Sequence, residues 1–178
     1  MTLEKRSIEA VEFCADGRKL QGYAALFGAE ARIEGGMIET IAPGAFTETL
    51  QTRSDILALV DHDPSRVLAR TKSGTLRLKQ DNRGLAFDLD VPDTQTGRDI
   101  LVMTKRGDLG GMSFGFTATD EFIERDRREL RALELFEISI VSAFPAYKGT
   151  VINARAKATE FSSLDHATRT LRILELMR

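Results

Sequence analysis

The strongest constraint on this chain is a period-two alternation of apolar and polar residues on both sides of a turn. Leu76 and Leu78 alternate with polar residues, Asp81-Asn82-Arg83-Gly84 reads as a turn, and Leu85, Phe87, Leu89 and Val91 resume the alternation. Successive strand side chains point to opposite faces, so this pattern predicts a hairpin with one buried face. Met112, Phe114 and Phe116 alternate in the same way with Ser113, Gly115 and Thr117. A strand there sends its large side chains into the core and Ser113 to the other face.

Further strand-like runs cover Lys19 to Phe27, Met37 to Ile41 after the Gly35-Gly36 break, and the continuous apolar stretch Ile56 to Val60. That stretch leads into Asp61-His62-Asp63-Pro64, where Pro64 is expected to take the chain out of regular structure and leave His62 at a strand end. After the charged segment Glu124-Arg125-Asp126-Arg127-Arg128, Leu130 to Val141 reads as one or two strands. Two helices are expected within this region. One opens at Pro43-Gly44-Ala45-Phe46 and runs to about Gln51. The other spans Thr94 to Arg106, with Thr94 or Thr96 as N-cap and Gly107 as the stop. From Val151 the pattern is amphipathic and helical, with Leu164, Ala167, Leu171, Ile173 and Leu174 forming an apolar stripe. The class is therefore α+β, with a mostly antiparallel sheet.

A chain of 178 residues with 42% hydrophobic content suits one compact domain over residues 1–152, followed by the helical tail at 153–178. A net charge of −2, with no basic tract, argues against nucleic-acid binding. Cys14 is the only cysteine, which excludes an intrachain disulfide or a Cys-based zinc site and fits a reducing compartment. Glu4 and Glu9 interrupt the first ten residues, so no signal-peptide core is expected. No run approaches membrane-spanning length, and a soluble protein without a membrane partner is expected.

The chemistry rests on few residues. A serine hydroxyl needs an adjacent imidazole to take its proton and a third group to orient that imidazole. Ser113, His62 and Glu137 supply these three types. By parity Glu137, Ser139 and Val141 share one strand face, and a carboxylate opening an apolar strand needs a partner, for which His62 is one choice. Plainer readings stand beside this one. Ser113 is also a small residue that permits close packing, His62 a solvated turn capped by Asp61 or Asp63, and Glu137 a partner for an arginine. His166 lies on the amphipathic tail, where a helix-surface role is expected. The Asp61-His62-Asp63 cluster lacks a second ligand group, so no metal is assigned. Gly107, Gly110, Gly111 and Gly115 lack the Lys-Ser/Thr of a phosphate loop, and no cofactor is assigned.

Five segments together, in order, resemble the prohead (capsid maturation) proteases of tailed bacteriophages, which are similar to the herpesvirus assemblins. They are Gly22-Tyr23-Ala24-Ala25-Leu26-Phe27-Gly28, Ile41-Ala42-Pro43-Gly44-Ala45-Phe46, Asp61-His62-Asp63, Gly111 to Phe116, and Leu135 to Val141 followed by Pro145-Ala146. The resemblance implies an assemblin-like, barrel-like and largely antiparallel sheet surrounded by helices. It implies a serine endopeptidase with His62 as general base, Ser113 as nucleophile and Glu137 as the third member, where the herpesvirus enzymes carry a second histidine. The substrates it implies are the major capsid protein and scaffold, and the chain itself, cut inside the immature capsid in the host cytoplasm. The herpesvirus relatives further imply a homodimer. Their oxyanion loop corresponds to Phe144-Pro145-Ala146-Tyr147-Lys148-Gly149, which lacks an Arg-Arg pair, so no oxyanion donor is assigned.

Two rivals remain at the level of sequence. One is a non-enzymatic capsid assembly or scaffolding protein in which the tail is the important element. The other is an esterase-like hydrolase, because Gly111-Met112-Ser113-Phe114-Gly115 fits Gly-x-Ser-x-Gly. The strand-like aromatics after Ser113 argue against the strand-to-helix elbow that this motif requires.

Overall fold

The computed structural model describes residues 3–9 and 14–142. Along them lie β1 (Glu4–Glu9), β2 (Cys14–Asp16), β3 (Lys19–Leu26), β4 (Ala31–Arg32), β5 (Ile38–Ile41), α1 (Thr47–Thr52), β6 (Leu57–Val60), β7 (Asp63–Arg70), β8 (Leu76–Gln80), β9 (Gly84–Asp90), α2 (Gln95–Arg106), β10 (Gly111–Glu124) and β11 (Arg127–Val141).

The alternating segments fold as their period dictates. β8 and β9 form the expected hairpin, with Leu76 opposite Leu89 and Leu78 opposite Phe87. Asp81 holds its turn by accepting hydrogen bonds from the Arg83 and Gly84 amides. On β10, Met112, Phe114 and Phe116 are buried in the core. α2 starts at Thr94, whose side-chain oxygen accepts from the Gly97 amide at 3.1 Å, and stops at Gly107, which takes the left-handed conformation with φ 74°. The first helix starts at Thr47 rather than Pro43, because residues 43–46 are spent in turns that bury Phe46 completely.

Two open sheets share one hydrophobic core. The smaller has the order β2-β3-β9-β8, and the larger runs β1-β10-β11-β5-β4, with β6 and β7 added alongside β11. All pairings are antiparallel except that β5 and β6 each run parallel to β11. The expected barrel-like sheet surrounded by helices is therefore not what forms. Neither sheet closes, and the described residues carry only two α-helices, of six and twelve residues. Closure depends on which strands meet at the edges, a long-range property that local alternation does not encode. The expected tail helix at 153–178 lies outside the described residues.

β11 is the organising strand. It pairs with β10 along its whole length, while on its other side β5 meets Arg127–Leu130 and β6 meets Glu137–Ile140. The gap between those two partners is filled by the segment leading into α1. There the Ala45 carbonyl accepts from the Leu133 amide at 3.2 Å, and Thr49 Oγ1 accepts from the Leu135 amide at 2.9 Å. Buried amides must be satisfied, which gives Thr49, itself only 3% exposed, its reason to face inward.

One end of the core is closed by charge. Glu39 on β5, 2% exposed, accepts from Arg6 Nε at 2.5 Å and from Arg128 Nη1 at 2.9 Å, and Arg128 Nη2 also donates to Glu4 at 2.8 Å. This network ties β1 to β5 and β11. Removing one member of a buried set strands the others, so Glu39→Gln is expected to cost about 3 kcal/mol of unfolding free energy, read from urea titration by circular dichroism. Hydrogen bonding from Arg128 holds the Glu4 carboxyl below its ordinary value of 4.5, against the opposing effect of burial. A depressed folded value means that the stability Glu4 contributes is present above 4.5 and is lost as pH falls through the folded value. The urea midpoint should therefore fall below that pH, and less steeply in Glu4→Gln.

Candidate active site

β6 ends in a two-residue turn, Asp61-His62, that reverses directly into β7 with Val60 paired to Asp63. Both turn residues have positive φ, 54° and 60°, as a primed hairpin turn demands and non-glycine residues rarely adopt. Several contacts over-determine this conformation. The Asp61 amide donates to the Ile140 carbonyl at 2.9 Å, and the Asp61 carboxylate accepts from the Ser142 amide and hydroxyl and from Arg66. Pro64 does not end regular structure as expected. It lies in β7 where the ladder with β6 is bulged, on a strand paired at one edge only, where a missing amide costs nothing.

The opposing residues come from the central hairpin. In the β10–β11 register Ser113 faces Ser139 and Gly115 faces Glu137, so all four lie on the face opposite the aromatic core. Gly115 is required there. A Cβ at this position would stand 2.5 Å from Glu137 Oε1, so the carboxylate lies across the backbone that glycine leaves open.

Because of that placement Glu137 reaches His62. His62 Nδ1 and Glu137 Oε1 are 2.6 Å apart, and their side chains are only 8% and 10% exposed. A carboxylate can only accept, so the contact assigns a proton to Nδ1, and in the neutral ring Nε2 is then the accepting nitrogen. His62 Nε2 is buried and has no hydrogen-bond partner among the described residues. Ser139 completes the chain of contacts: its hydroxyl donates to Glu137 Oε2 at 2.6 Å and accepts from the His62 amide at 3.2 Å.

Of the three residues singled out in the sequence, His62 and Glu137 are thus brought into contact. Ser113 stands on the neighbouring strand of the same face, wholly buried, with its hydroxyl donating to the Arg6 carbonyl of β1 at 2.6 Å. The solvated-turn reading of His62 does not fit its burial, and Glu137 is held by a histidine and a serine. Asp61 and Asp63 turn to Ser142, Arg66 and Ser65, and among the described residues no group of three His, Cys, Asp or Glu gathers as a metal would need. His166 and the Phe144–Gly149 loop lie outside the described residues.

Beside Glu137 a groove of about 830 Å³ is cut into this face, lined among others by Leu57, Leu59, Pro64, Thr119 and Phe136. Arg53 packs over the Phe136 ring at 4.1 Å and pairs with Glu134 at the groove wall. Sequence reading missed Gly115 and Ser139 as site residues. Parity already set Ser139 on the Glu137 face and Gly115 on the Ser113 face, but only the cross-strand register shows that they meet.

The buried His62–Glu137 pair and the serine on the adjacent strand are the chemistry-bearing groups of this face, and comparison with known proteins sets them in a family. The family model for the caudovirus prohead serine protease matches residues 2–166, so the chain belongs to that family of serine proteases acting in capsid maturation. No curated protein matches it. Among solved structures it is similar in fold to the capsid assembly protease gp21 of bacteriophage T4. The TM-score is 0.54 at 8% identity, covering 79% of this chain and 97% of that one. No helix among the described residues is long and apolar enough to cross a membrane.

The Gly115 contact yields a direct test. Gly115→Ala should displace the Glu137 carboxylate and abolish the downfield Nδ1 proton resonance of His62 while near-native far-UV dichroism is retained; persistence of that resonance would contradict the close approach.

Proposed function

We propose that this chain is a serine endopeptidase using His62, Ser113 and Glu137, and that it trims extensions of the major capsid protein or scaffold, and itself, within the immature capsid in the host cytoplasm. The observation that carries this reading is the 2.6 Å contact between His62 Nδ1 and Glu137 Oε1, which orients the ring, with Ser113 on the adjacent strand of the β10–β11 ladder. Membership of the prohead serine protease family supports the substrate class.

In the proposed mechanism the Ser113 hydroxyl turns from the Arg6 carbonyl to His62 Nε2 and gives up its proton as Oγ attacks the scissile carbonyl. The imidazolium that forms lies against Glu137, whose charge stabilises it. His62 then returns the proton to the leaving amine, and an acyl-enzyme remains on Ser113. Water, deprotonated by His62, hydrolyses it and restores the hydroxyl. The groove lined by Leu57, Leu59, Pro64 and Phe136 adjoins Glu137 and has the size of a binding site for a few peptide side chains.

The test is intact mass over time for wild type and Ser113→Ala, each co-expressed with the cognate coat protein. Loss of a coat-protein or self fragment with wild type alone is expected; identical intact species in both would favour the scaffolding reading instead. Glu137→Gln should keep the fold and slow cleavage by about 100- to 10,000-fold, since the ring then loses its charged partner. The same reading includes a homodimer, checked by sedimentation alongside activity at several concentrations; undiminished activity from a monomer would remove it.

A further inference from the structure

We propose that Ser139 is a positioning residue of this site, acting through Glu137 and the backbone of His62 rather than on substrate. The inference rests on the triad proposed above and extends it to a fourth side chain.

Ser139 is completely buried, yet it is not a core filler. Its face of β11 is the polar one, its neighbours Ile138 and Ile140 point the other way into the core, and its cross-strand partner is Ser113. The two hydrogen bonds of its hydroxyl are divided between the two parts of the His62–Glu137 pair. It donates to Glu137 Oε2 at 2.6 Å, while Oε1 takes the His62 ring. It accepts from the His62 amide at 3.2 Å, the residue held at φ 60°.

Each bond has a consequence. A carboxylate bound through one oxygen can rotate about its terminal torsion, which is broad, and swing that oxygen off the imidazole. Holding Oε2 from the next position along the same face removes that freedom. The amide bond fixes the strained turn that aims the ring, so one hydroxyl references both imidazole and carboxylate to β11. Neither partner is an imidazole nitrogen, and the hydroxyl is engaged with the carboxylate that holds the His62 ring, so Ser139 is placed to position that pair.

Reactivity toward a fluorophosphonate probe, which reads the serine and its base without a known cleavage sequence, provides the test. Its rate constant is measured for the full chain as wild type, Ser139→Ala, Glu137→Gln and the double variant, with the labelled residue identified by peptide mapping. Wild type should be labelled at Ser113, and Ser139→Ala should react about 10- to 100-fold more slowly, the worth of one hydrogen bond to a charged group, when measured without urea, where its unfolding curve shows it folded. In the Glu137→Gln background the same substitution should have little further effect, because its route of action is already cut. Full additivity of the two substitutions, or an unchanged rate in Ser139→Ala, would overturn the role. Should Ser139→Ala fail to fold, Ser139→Cys, which keeps the shape with a poorer donor, replaces it in the same cycle. Wild type labelled at Ser139 would overturn both this role and the triad, whereas wild type labelled at Ser113 with additive variants would overturn this role alone.

Discussion

The β10–β11 ladder is the interaction on which the rest of the structure depends. It sets Gly115 against Glu137 and Ser113 against Ser139, and its opposite face supplies Phe114, Phe116, Leu135, Ile138 and Ile140 to the core. A slip of one residue would exchange these sets, burying two serines and a glutamate in hydrocarbon and exposing the aromatics. The apolar face therefore enforces the register of the polar one. Core packing and site geometry are two sides of the same hairpin.

The second constraint is that polar groups buried on that face must find partners. Glu137 is withdrawn from water, and both of its oxygens are occupied, one by the His62 ring and one by Ser139. His62 Nε2 and Arg53 Nε are the exceptions, buried nitrogens without a hydrogen-bond partner among the described residues. Unsatisfied buried groups of this kind are costly, and under the proposed mechanism the Ser113 hydroxyl would supply the partner that His62 Nε2 lacks. The positive φ values at Asp61 and His62 belong to the same pattern of local strain held by surrounding bonds.

Much of this was legible in one dimension. The alternation at Leu76–Val91 and Met112–Phe116, the Thr94 cap and the Gly107 stop each depend on residues close together, so period and capping chemistry located them. His62 at a strand end and Glu137 on the Ser139 face were also readable by parity. Pro64 misled because proline breaks a paired strand but not a bulged edge strand, and edge status depends on which strands lie alongside. The barrel with surrounding helices misled for a related reason: edge pairing, not strand content, decides whether a sheet closes.

Sequence by itself determined the strand faces and the ends of the second helix, and it singled out His62, Ser113 and Glu137 as candidates, since all of these follow from side-chain chemistry and short spacings. Tertiary structure alone decided that Gly115 makes room for a carboxylate, that Ser139 bridges Glu137 and His62, and that the Ser113 hydroxyl rests on a carbonyl of β1. These contacts join residues up to 107 positions apart, and such distances are set by cross-strand register and sheet order, which no local pattern encodes.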